Sequence, residues 1–190
     1  MRFPDTPAQT PATPDPPSSG YRVPLSSNIV FPSERTAGRP PFHDADGVSP
    51  VFIGSAIFDD SVHPCKIVPT LDPKCMVPYG GTEHHHYGRY DLLPFDPTTM
   101  EFVRTSHGHI PQGRRPVEGG YEDNGMAHFL RILFYLMIDT VTGNKLYHGI
   151  GDVGGVMVPG KAGTHLGGCN VSFGGKEHII RENYDILCWR

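Results

Sequence analysis

Charge is scarce in this sequence. Asp, Glu, Lys and Arg make up 19% of it, the net charge is −4, and no basic patch stands out. Nucleic acid is therefore excluded as an expected partner, because phosphate binding needs clustered cations. Cysteine is scarce too. Cys65, Cys75, Cys169 and Cys188 are the four in 190 residues, and none has zinc-type spacing. They are expected as free thiols rather than as a disulfide frame or a zinc site. There is no Gly-x-Ser-x-Gly elbow, phosphate loop or dinucleotide fingerprint, so no cofactor is expected. Met1 to Pro16 holds no apolar core of signal-peptide length. A cytoplasmic or non-classically exported protein is the expectation.

Glycine and proline are abundant, at 23 and 20 residues. That composition suits short strands joined by turns and predicts an all-β fold. Six prolines lie between Pro4 and Pro17 among Ser, Thr and Asp. Such a segment buries too little apolar surface to offset its ordering entropy, so residues 1–20 are expected to be a disordered tail.

The strongest signal is an internal repeat. One copy reads Pro64-Cys65-Lys66, then Cys75 through His84, then Tyr90-Asp91-Leu92-Leu93. The other reads Pro159-Gly160-Lys161, then Cys169 through His178, then Tyr184-Asp185-Ile186-Leu187. Cys to Glu is 8 residues in both and Glu to Tyr is 7; Lys to Cys is 9 in one and 8 in the other. Cys75, Val77 and Tyr79 alternate with other residues as in a half-buried strand, and so do Cys169, Val171 and Phe173. Each run ends in Gly-Gly, suited to a turn with positive φ. Pro78 lacks an amide donor and suggests an edge strand. Val51–Ile53 and Lys145–Tyr147 read as matching upstream strands. Neither copy has apolar residues enough for its own core, so the two are expected to pack together about a pseudo-two-fold. The domain reading is a tail at 1–20, a first repeat at 21–95 and a second at 96–190.

The second copy carries a surplus near 126–143. Asp44 to Lys66 spans 22 residues, whereas Glu122 to Lys161 spans 39. The surplus includes the apolar run His128–Ile138, too short for a membrane span and interrupted by Arg131. Two readings stay open. One is a genuine insertion, a short helix or long strand covering an apolar face. The other is a retained intron, since Gly125-Met126 and Thr142-Gly143 can be encoded with splice-site dinucleotides and the excised chain still reads Asn-Gly-Asn.

These residues resemble the DM-nine repeat family over about residues 30–190. The most specific matches are Gly119-Gly120-Tyr121-Glu122, Val158-Pro159-Gly160-Lys161, and Cys169 through His178 with Tyr184–Leu187. Gly108-His109-Ile110-Pro111 also looks like a repeat opening, while Phe102 stands where the family often has Trp. The family includes tandem-repeat mannose-binding lectins, and related repeats accompany a pore-forming domain in natterin-like proteins. No such domain is expected here. The resemblance implies a carbohydrate-binding, lectin-like protein. Its partners would be glycans, mannose-containing ones among them, with self-association as a further expectation. It also implies that an acid and the Lys of Pro-Gly-Lys clamp the sugar. Carried over, the pairs are Glu122 with Lys161 and Asp44 with Lys66. Glu122 replaces the family's Asp and Cys65 its Gly.

Three alternatives come from the residues themselves. The acid–lysine pairs could be exposed surface ion pairs of little energetic weight. The chain could be a protein–protein interaction or structural module without a sugar site. Glu83 and Glu177 could be hydrolytic carboxylates; yet matched surroundings would not separate their pKa values, and acceptance of hydrogen bonds from turn amides is the expected role. His84-His85-His86 could suggest a metal, but neighbours on a strand face opposite ways, so no metal site is expected. Transcript sequencing decides the surplus segment: message lacking codons 126–143 marks an intron, and message that always carries them marks a genuine insertion.

Overall fold

The computed structural model describes residues 20–122 and 143–190. The expected tail, except Gly20, and the surplus segment, except Gly143, lie outside the described residues.

The chain is nearly all β, as its composition predicts. In order come β1 (Val23–Ser26), the single turn α1 (Glu34–Ala37), β2 (Phe42–His43), β3 (Pro50–Ile57), β4 (Val62–Ile67), β5 (Cys75–Tyr79), β6 (Thr82–His86) and β7 (Arg89–Leu93). Then come β8 (Met100–Thr105), β9 (Arg115–Pro116), β10 (Glu118–Glu122), β11 (Asn144–Val153), β12 (Val156–Gly163), β13 (Gly168–Phe173), β14 (Lys176–Ile180) and β15 (Tyr184–Trp189).

Strand order reveals the duplication. The path runs β1-β7-β3-β4-β5-β6 and continues β14-β13-β12-β11-β15-β8. The second half is the first in mirror order, and the halves meet where Thr82 of β6 pairs with Lys176 of β14. Registers agree as well. Lys66 pairs with Ile53 and Met76, and Lys161 with His148 and Asn170. This makes Ile53 the counterpart of His148, one residue away from the match read in sequence. The one-residue difference between the copies therefore falls in the loop from β4 to β5.

The Gly-Gly turns form as expected, with φ near 62° and 81° at Gly80-Gly81 and 61° and 80° at Gly174-Gly175. The Pro78 reading needs correction. β5 is an interior strand, paired to β6 along its length and to β4 at Cys75 and Met76. Pro78 is accommodated because the ladder to β4 has ended before it, so its missing donor costs no bond there.

The core also differs from expectation. Each copy has its own apolar cluster: Phe52, Cys65, Ile67, Cys75, Val77, Tyr90 and Leu92 in the first, Val158, Cys169, Val171, Tyr184 and Ile186 in the second. A third cluster, with Ile53, Leu93, Met100, Val117, Ile150 and Leu187, joins them. Small cores suffice because each large side chain buried contributes roughly 1.5–3 kcal/mol. All four cysteines are buried free thiols.

Close strand approach makes one glycine obligatory. A Cβ on Gly54 would lie 2.3 Å from both the Asp91 carbonyl oxygen and Ile67 Cδ1. Gly54→Ala should therefore destabilise the fold by about 1–3 kcal/mol through overpacking. Urea unfolding of the variant beside the parent measures this, and equal midpoints would show that β3 and β7 can separate freely.

Candidate functional site

The two Lys of the repeats emerge on the seam between the copies, where β4 and β5 pack against β12 and β13. Each reaches an aromatic ring of the opposite copy. Lys66 Nζ lies 5.5 Å from the Phe173 centroid, and Lys161 Nζ lies 5.5 Å from that of Tyr79. Phe173 and Tyr79 are counterparts, each directly before its Gly-Gly turn, so these contacts are exchanged symmetrically. Glu83 and Glu177 are exchanged too. Gly175 N donates to Glu83 Oε2 at 2.8 Å, and Gly81 N donates to Glu177 Oε2 at 2.7 Å. The expected amide-accepting role is therefore seen, and each carboxylate serves the other copy's turn rather than its own.

Beyond this shared frame the copies diverge. In the second, Lys161 Nζ lies 3.2 Å from Glu122 Oε2 and donates a hydrogen bond to it. His165 Nε2 contacts Oε1 at 2.5 Å, and His63 Nδ1 of the first copy stands 3.7 Å from Oε2. The Lys161 side chain is 6% exposed and Glu122 19%. This is a half-buried cluster, not the exposed surface pair that was one alternative. Burial works to raise the Glu122 pKa, but Lys161 and His165 outweigh it and hold the carboxyl below its ordinary value. Tyr79 closes one side. It is 46% exposed, stacked on Phe58 and edge-on to His63.

In the first copy the expected pair does not form. Register confirms that Asp44 is the counterpart of Glu122, since Phe42 pairs with Val51 as Gly120 does with Leu146. Lys66 instead pairs with Glu83 Oε1 at 2.9 Å, with side chains 4% and 10% exposed. Asp44 accepts from the Ala45 amide within its own turn. Its side chain is one methylene shorter than that of Glu122.

The His triplet alternates as expected. His84, His85 and His86 sit opposite Val77, Met76 and Cys75. His84 and His86 gather around Phe58, and His86 Nε2 contacts the Arg89 carbonyl. Among the described residues no three His, Cys, Asp or Glu side chains converge as a metal site. Sequence reasoning missed His63, His165, Tyr79 and Asn170. Tyr79 could have been found as the aromatic at matched positions of both copies. His63 had no such signal, because its counterpart is Val158.

Strand order and site together define a class: a tandem-repeat β protein whose copies exchange contacts across a charged seam. Residues 44–130 match the DM9 repeat model. Comparison with curated proteins gives no match. Among solved structures, the chain is similar to the nematode sperm cell motility protein MFP2B, with a TM-score of 0.59 and 13% identity. The match covers 96% of this chain and 50% of that one, so the chain spans about half that protein's length. The likeness is one of fold. Among the described residues no helix is long and apolar enough to cross a membrane.

His63 gives the cluster a pH signature. Burial, with Lys161 adding to it, lowers its pKa from 6.5 to about 4. Unfolded, it takes up its proton at higher pH. The stability that comes from its neutral state is complete above pH 6.5 and drains away as pH falls toward about 4. Thermal unfolding should therefore show a falling midpoint over that window. His63→Val, the residue the second copy uses, should flatten the fall; an unchanged slope would assign the acid sensitivity to other groups.

Proposed function

We propose that this protein binds carbohydrate without catalysis, through one site built on Glu122 and Lys161. The carrying observation is their convergence: a carboxylate and an ammonium 3.2 Å apart on the seam, beside a half-exposed tyrosine ring. A carboxylate accepts from sugar hydroxyls, an ammonium donates to a sugar oxygen, and bonds to charged groups are about twice as strong as neutral ones. The Tyr79 ring offers an apolar face to the pyranose. The DM9 match over residues 44–130 agrees with this reading. Mannose-containing glycans are the first candidates, from the lectin resemblance.

Asp44 and Lys66, the other pair expected to bind, are left out of the working site because Glu83 already holds Lys66. Each chain then offers one site. Alone it would bind at about the millimolar level, ~4 kcal/mol, and useful avidity would require self-association. Glu83 and Glu177 remain with the turns they hold, which argues against the hydrolase reading. An interaction module on the same fold is the competing function.

A glycan array with the parent, Lys161→Met and Lys66→Met decides among these. Methionine replaces each buried ammonium without leaving a void. Lys161→Met should lose roughly 1–3 kcal/mol of binding, enough to erase a weak site, while Lys66→Met should bind as the parent does. Equal binding by Lys161→Met would remove this site. A parent that retains no glycan would favour the interaction module.

A further inference from the structure

We propose that Asn170 is a positioning residue that keeps the Lys161 site open, and that Met76 at the matching place leaves the Lys66 site closed. The inference rests on the sugar-site reading of Glu122 and Lys161. Glu83 and Glu177 are equivalent residues doing one shared task. Each uses Oε2 to accept the amide of the opposite Gly-Gly turn. Each therefore has Oε1 left over, which Lys66 meets in the first copy and Asn170 in the second.

What meets Oε1 is set by one residue. The direct cross-strand partner of Lys66 is Met76, and that of Lys161 is Asn170. Methionine has no donor. The Glu83 side chain is 10% exposed, and a largely buried carboxylate oxygen without a donor is costly. Lys66 supplies the donor at 2.9 Å and is consumed by it. Asparagine brings a neutral donor of its own. Asn170 Nδ2 donates to Glu177 Oε1 at 2.8 Å. Glu177 is then satisfied without Lys161, whose ammonium turns to Glu122 and the Tyr79 ring. The two copies are thus an internal comparison, with the same glutamate, lysine and turn but a different strand neighbour and a different pairing.

The test uses the full chain, with immobilised mannan as probe. In Asn170→Met, Glu177 should capture Lys161 as Glu83 captures Lys66, and retention on mannan should fall tenfold or more. Adding Glu177→Gln removes the competing charge while leaving an oxygen for the Gly81 amide, so Asn170→Met/Glu177→Gln should regain binding. A purely structural role would not predict that rescue. Parental binding by Asn170→Met overturns the proposal. So does a double variant that stays inactive, which would mean that Asn170 touches the sugar itself through its unpartnered Oδ1. If the parent does not bind mannan, a crystal structure of Asn170→Met still decides. Glu177 Oε1 within hydrogen-bond distance of Lys161 Nζ supports the positioning role, and Lys161 still on Glu122 overturns it. That failure is distinct from failure of the sugar reading.

Discussion

Two glutamates, each accepting a turn amide from the opposite copy, hold the seam on which everything else depends. The Gly-Gly turns place their second glycine at φ near 80°, which aims an amide outward from the end of each hairpin. That amide needs an acceptor where the copies press together, and the neighbouring copy provides it. The exchange aligns β6 with β14 and brings each lysine under the other copy's aromatic ring. Because one carboxylate oxygen is committed to the turn, the fate of the other becomes a chemical decision. The state of both lysines follows from it.

Duplication explains why the core positions agree and the seam positions do not. Cys75 and Cys169, Val77 and Val171, Tyr90 and Tyr184, and Leu92 and Ile186 occupy the same places in separate clusters, and their packing tolerates little change in volume. Phe58, His63 and His86 of the first copy stand at the places where the second has Val153, Val158 and Ile180, which pack in its own cluster. The first copy thus lends one imidazole, that of His63, and a stacked tyrosine to a candidate site whose charges belong to the second. A single copy holds neither the whole site nor the cap on its own turn.

Much of the fold was legible because its signals are local. Alternation from Cys75 to Tyr79 and from Cys169 to Phe173, closed by Gly-Gly, marks strands and turns whatever surrounds them. The pairing of Glu122 with Lys161 was legible through family resemblance, and register supports the match of Asp44 to Glu122. Two things were not. Glu83 and Gly175 are 92 residues apart, and nothing in either stretch says that the turn served is the distant one. The loss of the Asp44–Lys66 pair also depends on Met76, which reads in sequence only as another apolar strand residue. Pro78 misled because a missing donor matters only where a ladder continues, and that end is set by tertiary packing.

Burial of the lysines carries the last step. An ammonium taken out of water loses several kcal/mol of hydration, and a buried pair often stabilises no better than well-packed apolar side chains would. Lys66 and Glu83 form such a pair, but there the glutamate is already required by the turn of the other copy, so the lysine answers a structural demand. Lys161 answers none of that kind, since Asn170 meets the need of Glu177. Its partner Glu122 is the more exposed carboxylate, 19% against 10% for Glu83, and opens beside a tyrosine face left half in solvent. A charge kept in a costly place without a structural debtor is what a ligand-binding group looks like. The difference between the copies, more than the resemblance between them, is what supports the proposed site.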